Sequence, residues 1–572
     1  MDAVDFFPFY AFRKYQKETI QYVQECFDSG YNVVMVEAPT GIGKSAINYC
    51  IFRHYGGYIV TTQKVLQEQY RNSFRDLHII KGRSNYRCEL VDVPADCAPC
   101  VVLDDFECDA IPFCDYYQDR NNVAKFGGVM NVSYAFLAPR NVFETKNVLI
   151  VDEAHNLDLL GLDFISVTIR TKLLRETVPS FKSCEEYADY LYGKLDDLYE
   201  VKRRYFEKFK KSKNILHLRT INSVDRLIKK IRFFYNDVAD GNEWVFTRTK
   251  EKIKFQPITV GRFMKRLLWD LGRRYLVTSA TIIDPKMFVK EVGLDFCEGI
   301  KFVRVPHVFP KERRPVKFIP CGSMGKDYKD RNMHIAAEVI KKILEKADGH
   351  RVLIHCKSYE NAKMLYTMLE GIEGRKIILQ DANDREKSLV EFLYYDNSVF
   401  LSVKYTEGVD FAYDKARVNI ILKVPYPDLS DPRIKKRLEM EDGERWYRWK
   451  TIQELVQSYG RTTRAEDDWS YTFILDSDFA YLYHANKDLF PKWFKEALKW
   501  YKKKPMERQS QLELVRTVYR KIEEIYNMYG DFPSIDELAA ELDMSKNKVS
   551  YAVKLLEKKD KVIIRKDKVI LL

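Results

Sequence analysis

Apolar residues along the chain fall into two regimes. In the first, short aliphatic and β-branched runs stand between polar, glycine-bearing segments: VVMV at 33–36, VLIV at 148–151, LVTSAT at 276–281, RVLIHC at 351–356 and VFLSV at 399–403. Runs of this length without polar alternation predict strands buried on both faces, as in parallel sheets. Segments near 330–347 and 359–371 carry apolar positions at helical spacing, so strand and helix alternate and predict α/β layers. In the second regime, about 165–255, apolar positions recur at helical spacing among many Lys and Arg, as in EEYADYLYGKLDDLYEVKRRYFEKFKK and SVDRLIKKIRFFYNDV. This predicts an inserted helical domain.

The polar segments at the strand ends carry the chemistry. After VVMV comes EAPTGIGKSAINYCIF, a strand, loop and helix in the order a phosphate-binding loop requires. Ala38, Pro39, Thr40, Gly41, Ile42, Gly43, Lys44 and Ser45 form that loop, with Ala38 where the first glycine usually stands. Gly41 and Gly43 let backbone N–H groups turn toward phosphate oxygens. Lys44 supplies a point charge for the β- and γ-phosphates, and the Ser45 hydroxyl can ligate Mg²⁺. VLIV runs into Asp152-Glu153-Ala154-His155. A carboxylate at the end of a neighbouring parallel strand can hold Mg²⁺ and the next can polarise water, so Asp152 is the candidate metal residue and Glu153 the candidate base. Arg13 and Gln16 precede the first strand, where a glutamine can read adenine.

In the second half, Thr406-Glu407-Gly408-Val409-Asp410-Phe411 follows one strand. Gln457-Ser458-Tyr459-Gly460-Arg461-Thr462-Thr463-Arg464 is read as part of a helix beginning near Ile452. Arg461 and Arg464 would then share one helix face and reach a γ-phosphate held by the other unit. The ordered set APTGIGKS, DEAH, TSAT, TEGVDF and QSYGRTTR resembles superfamily 2 helicases of the XPD/DinG (Rad3-like) type, over roughly residues 8–480. The resemblance implies two RecA-like motor domains closing on ATP, translocation 5′ to 3′ on single-stranded DNA, and unwinding of forked or overhang duplexes. It also implies nucleotide contacts from Gly408 and Asp410. Asp478 departs from the pattern, standing where similar proteins often carry a basic residue.

Five of the eleven cysteines, Cys88, Cys97, Cys100, Cys108 and Cys114, crowd between the phosphate loop and DEAH in loop-like sequence. Their spacing allows zinc or an iron–sulfur cluster. Their position, opening with NYRC and closing with C-x-Y-Y, resembles the [4Fe–4S] domain of XPD and DinG proteins. Cys88 and Cys114 match the flanking ligands, with Cys100 and Cys108 as the inner pair; Cys97 with Cys100 is the alternative. Cys26, Cys50, Cys184, Cys297, Cys321 and Cys356 lie in patterned segments and are expected in cores.

The resemblance divides the chain. Residues 1–82, 126–162 and 256–290 form RecA-like domain 1, 83–125 the iron–sulfur insertion, 163–255 the helical arch and 291–504 RecA-like domain 2. In the arch, Lys202, Arg203, Arg204, Lys208, Lys210, Lys211 and Lys213 are solvated-face or DNA-path candidates. Beyond Pro505 the resemblance ends. There Ser534 and Glu537 form a capping box, Ser545 stands before a second helix, and VIIRKDKVILL predicts a hairpin, together similar to a winged helix-turn-helix at 505–572.

Composition changes this picture little. Lys and Arg number 95 against 83 Asp and Glu, a net charge of +12, which is compatible with a nucleic-acid partner. No apolar run nears the roughly 20 residues of a membrane span, and the N-terminus has no secretory pattern, so a cytoplasmic, monomeric enzyme is expected. The rival readings are a remodeller with little unwinding and a winged-helix regulator with a degenerate motor. The intact Lys44, Asp152, Glu153, Arg461 and Arg464 speak against the second.

Overall fold

The computed structural model describes residues 1–103, 106–170, 178–212, 214–403, 411–463, 465, 467–501, 508–559, 561–565 and 567–571. Two compact units divide it, Met1–Trp500 and Tyr501–Leu572.

In the first unit, β1 (Val33–Glu37), β2 (Gly57–Thr61), β3 (Ile79–Ile80), β4 (Gly128–Asn131) and β5 (Lys146–Asp152) are followed by a small separate sheet. That sheet consists of β6 (Val167–Arg170), β7 (Trp244–Arg248) and β8 (Lys252–Pro257). The chain then returns with β9 (Gly272–Ser279) and β10 (Ile300–Arg304). The first sheet is entirely parallel, in the order β10-β1-β9-β5-β2-β4-β3. β1 is buried along its whole length, as the unbroken apolar run VVMV predicts, and β2, which the sequence reading did not single out, is buried likewise.

The second sheet holds β11 (Val316–Phe318), β12 (Val352–His355), β13 (Lys376–Leu379), β14 (Ser398–Ser402), β15 (Val418–Ile421), β16 (Tyr471–Ile474) and β17 (Leu498–Trp500). It too is parallel, in the order β13-β14-β12-β15-β16-β11-β17. The strands and helices anticipated in the second half lie within a residue or two of their expected places, as with the helices Lys329–Lys346 and Tyr359–Leu369.

Three differences from the sequence reading stand out. β10 pairs with β1, so the first sheet reaches Arg304 and the expected edge at 290 falls inside its last connection. Arg304 pairs with the buried Glu37 at the end of β1, which holds that edge in place. The 165–255 insertion is not wholly helical: the long helix Ile215–Ala239 packs on the antiparallel sheet β6-β8-β7, which runs to Pro257, and Leu195–Ser212 packs on that helix. And the helix expected from Ile452 begins at Gly443 and ends at Tyr459.

That helix, with Pro432–Glu439 before it, packs against the first sheet's last segments through buried polar contacts. Arg437 is fully buried and lies 2.8 Å from Glu291 and 2.7 Å from Asp442. Lys450 lies 2.8 Å from Asp158. Breaking such a pair leaves an uncompensated buried charge, at a cost of about 3–5 kcal/mol. Arg437→Ala is therefore expected to lower the thermal unfolding transition by several degrees, while Arg448→Ala, whose pairing to Glu444 is solvent-exposed, should leave it nearly unchanged.

The second unit has three helices, Arg508–Tyr529, Ile535–Glu541 and Lys546–Glu557, and an antiparallel hairpin of β18 (Val562–Arg565) and β19 (Lys568–Leu571). The Ser534–Glu537 capping box forms. Ser545 occupies the N-cap position of the last helix without a side-chain capping bond. Val549, Val553 and Leu556 meet Val562 and Val569 in this unit's own core.

Candidate functional site

The phosphate-loop sequence joins the end of β1 to the helix Lys44–Tyr55. Gly41 (φ +90°) and Gly43 (φ +83°) take left-handed backbone, and both are also crowded. A Cβ at Gly41 would run into the Phe309 ring, and one at Gly43 into the Gln16 amide. Arg13 Nη1 donates to the Gly41 carbonyl (2.8 Å) and Gln16 Nε2 to the Gly43 carbonyl (3.3 Å). The Arg13–Gln16 segment is thus clasped to the loop from outside, leaving the loop's own glycines to set its curvature.

Strand order decides what faces the loop. β5, which ends in Asp152, was read as a neighbour of β1, but β9 lies between them. Thr278 of β9 is in register with Asp152, and Ser279 with Glu37. The loop, the TSAT segment and the DEAH segment therefore leave the carboxyl ends of three adjacent parallel strands, the usual ligand position in open α/β sheets.

Lys44 Nζ lies 3.0 Å from Glu153 Oε1 and donates to the Ala38 carbonyl at 3.3 Å. Glu153 Oε2 lies 3.3 Å from His155 Nδ1, which is 3.1 Å from Ser279 Oγ. Burial alone would push the Glu153 carboxyl up, but the Lys44 ammonium and the His155 ring outweigh it and hold that carboxyl well below the usual range. Asp152 is pushed the other way, by burial and then by the charge of Glu153. Glu153 has a left-handed backbone (φ +51°), unusual for a side chain of its size, as is common where strain aims a functional group.

The arginines differ from expectation. The helix stops at Tyr459, and Gly460 serves as its C-cap, so Arg461 lies beyond the helix and the shared-face argument does not apply. Arg461 stands near His355 at the end of β12: burial first, then its charge, hold that ring down at about 4. Arg464, Gly408 and Asp410 lie outside the described residues, as do Thr406, Glu407 and Lys213. Gln457 Nε2 donates to Thr281 Oγ1 (2.8 Å) and Gln453 Nε2 to the Thr281 carbonyl (2.9 Å). The helix end carrying the QSYGRTTR segment therefore abuts the TSAT segment directly.

Several contacts were not read from the sequence: Lys450 with Asp158, Gln453 with Thr281, and Asn48 and Tyr70 behind Asp152. Only a polar residue at an otherwise apolar helix position hinted at Asn48. The departure at Asp478 is accommodated locally, since Ser323 Oγ donates to its carboxylate at 2.9 Å.

Cys88, Cys100, Cys108 and Cys114 line one cavity together with Arg83, Tyr116 and Tyr117. Burial and then the neighbouring Cys108 push the Cys100 thiol up, with Cys88 adding to the effect and Arg83 opposing it. Cys97 is not among the lining residues; its sulfur is 4.0 Å from Asn222 Nδ2 on the helix Ile215–Ala239. Among the described residues, no group of three or more His, Cys, Asp or Glu side chains could hold a metal ion as the side chains stand. Four thiols about one hollow are, by donor chemistry, a set that serves a zinc ion or an iron–sulfur cluster alike. The other cysteines are buried, apart from the half-buried Cys297.

Residues 9–159 match the family model of the type III restriction enzyme res subunit, and 340–497 that of the helicase C-terminal domain. Regulator of telomere elongation helicase 1 of Mus musculus is 24% identical over 279 residues, 42% of this chain and 23% of its own length. The Caenorhabditis elegans homolog is 28% identical over 290 residues, 44% of this chain and 29% of its own length. The solved structure of S. tokodaii Xpd4 covers 86% of this chain and 100% of that chain, with a TM-score of 0.54 at 15% identity. These matches make the chain similar to XPD/Rad3-like superfamily 2 helicases in sequence over its two family-model regions and in fold.

A second solved XPD helicase gives a TM-score of 0.57 at 15% identity with the same coverage, a likeness of fold. The two family-model matches fall on the parallel sheets, one on each. The chain spans under a third of the length of the curated relatives it matches. No helix among the described residues is long and apolar enough to cross a membrane.

Proposed function

We propose that this chain is an ATP-dependent DNA helicase that couples ATP hydrolysis to 5′-to-3′ movement along single-stranded DNA and unwinds forked or overhang duplexes. The observation that carries this reading is the meeting of Lys44, Glu153, His155 and Ser279 at three adjacent strand ends, with Gln457 of the second motor half bonded to Thr281 beside them. In this reading, backbone N–H groups of the 38–45 loop hold the phosphates, and Arg13 and Gln16 border the adenine. Ser45 and Asp152 are the residues that would hold Mg²⁺, which neutralises phosphate charge when bound. Glu153 orients the attacking water; until nucleotide arrives, Lys44 and His155 hold it as a carboxylate. Lys44 must leave Glu153 for the phosphates before Glu153 can serve water, so binding and activation are coupled through one ammonium. Arg461 and Arg464 answer the charge developing on the γ-phosphate, with Gly408 and Asp410 nearby.

Cys88, Cys100, Cys108 and Cys114 would hold a [4Fe–4S] cluster, which when bound staples the 83–125 insertion. The second unit is a winged-helix module, and the enzyme acts as a cytoplasmic monomer. Phosphate contacts along the basic face of the helix Leu195–Ser212 would make DNA binding independent of sequence and sensitive to salt.

The test is ATP hydrolysis with and without single-stranded DNA, followed by strand displacement on duplexes with 5′ or 3′ overhangs. Hydrolysis should rise at least about ten-fold with single-stranded DNA, and the duplex with a 5′ overhang should open faster. Hydrolysis indifferent to DNA would overturn the motor reading. Stimulation without displacement would replace the helicase with a translocase that remodels protein–DNA complexes.

A further inference from the structure

Neither Asn48 nor Tyr70 belongs to a helicase-type motif in the sequence, yet both are fully buried directly behind the DEAH carboxylate. Asn48 lies on the helix Lys44–Tyr55 and Tyr70 on the helix Lys64–Ser73. Asn48 Nδ2 is 3.0 Å from the Tyr70 hydroxyl and 3.1 Å from Thr278 Oγ1. The Tyr70 hydroxyl is 2.9 Å from Asp152 Oδ2, and Thr278 Oγ1 is 3.0 Å from Asp152 Oδ1.

The direction of every bond in this fork follows from donor inventory. An amide nitrogen only donates, so both hydroxyls accept from Asn48 and spend their single protons on the carboxylate. One amide thereby orients two hydroxyls, and the two hydroxyls fix both oxygens of Asp152. The Oδ1 oxygen also accepts the Glu153 backbone N–H at 3.0 Å, which fills its second lone pair. Oδ2 accepts from Tyr70 alone and keeps one acceptor position open.

We infer that Asn48 and Tyr70 are positioning residues for the divalent cation, holding Asp152 so that Oδ2, and not Oδ1, faces the ion or a water on it. This rests on the ATP-hydrolysing reading of the site. A second observation sets the fork apart from ordinary packing. Asn48 Oδ1 is buried without a hydrogen-bond partner, so the amide is present for its two N–H donors at the expense of its own acceptor.

Removing partners that orient a metal-binding side chain typically weakens metal affinity by about 10–100-fold. The test titrates Mn²⁺ into the full-length chain with a non-hydrolysable ATP analogue, reading free Mn²⁺ by electron paramagnetic resonance. Tyr70→Phe should raise the Mn²⁺ Kd by on the order of ten-fold. Analogue binding in EDTA should stay near wild type, while the melting temperature of the nucleotide-free protein should fall by a few degrees, because Asn48 and Asp152 each lose a buried partner. Asn48→Ala, which removes the donors without crowding the buried site, should move the Mn²⁺ Kd the same way, and it carries the test should the tyrosine variant not fold. An unchanged Mn²⁺ Kd in the variants, beside normal binding by the wild type, overturns this inference and leaves the nucleotide site intact. A wild type that binds no Mn²⁺ with the analogue overturns the nucleotide reading itself, and this inference with it.

Discussion

Lys44→Ala is expected to reduce ATP hydrolysis by on the order of a hundred-fold or more, the scale seen when one charge-stabilising donor is removed from a closed site. The loss has two parts. The ammonium that would answer the β- and γ-phosphates disappears, and so does the cation 3.0 Å from Glu153 Oε1. At Glu153, whose carboxyl is held down by Lys44 first and by His155 second, only His155 is then left to oppose burial. The sign follows: without Lys44 the proton affinity of Glu153 rises, and less of it is a carboxylate at mildly acidic pH. The residual hydrolysis of the variant should therefore lose its acidic limb at a higher pH than the wild type. A phosphate-release assay over a pH series reads both effects. Hydrolysis at wild-type rates with an unmoved acidic limb would mean the loop at 38–45 does not serve a nucleotide.

The second large effect concerns the cysteines. Protein purified without oxygen should be brown, with about four irons and about four acid-labile sulfides per chain. Cys108→Ser should lose most of that iron and its visible absorption, because Cys108 shares one cavity with Cys88, Cys100 and Cys114. Cys97→Ser should keep both, since Asn222 holds the Cys97 thiol outside that lining. The opposite pattern, loss with Cys97→Ser and retention with Cys108→Ser, would make Cys97 and Cys100 the inner pair. A colourless protein carrying stoichiometric zinc would replace the cluster altogether. Iron and zinc determinations on the same samples separate these outcomes.

Local features were legible wherever a short stretch carries its own instruction. VVMV followed by a glycine loop could only become a buried strand and a turn, and Gly41 and Gly43 do adopt positive φ. Ser534 and Glu537 close a capping box within four residues. Misreadings arose where a motif was carried past a local signal. Gly460 ends the helix at Tyr459, and continuing the periodicity to Arg464 ignored a glycine stop. The helix start at Gly443 escaped because Trp446, Trp449, Ile452 and Leu455 lie among charged residues, and the helix is buried on nearly every side, which erases any one-sided pattern.

The order of motifs, the donor types at each and the two-sheet plan are properties of the chain as written, because backbone preference and hydrophobic period act over a few residues. Which motifs touch is another matter. β9 enters between β1 and β5, and that placement brings Thr278 to Asp152 and Ser279 to His155 across more than a hundred intervening residues. The same packing puts Asn48 under two hydroxyls and parts Cys97 from Cys108. No periodicity encodes such pairings: strand order and the packing of helices on the sheets select them, through buried area and satisfied hydrogen bonds summed over the whole fold.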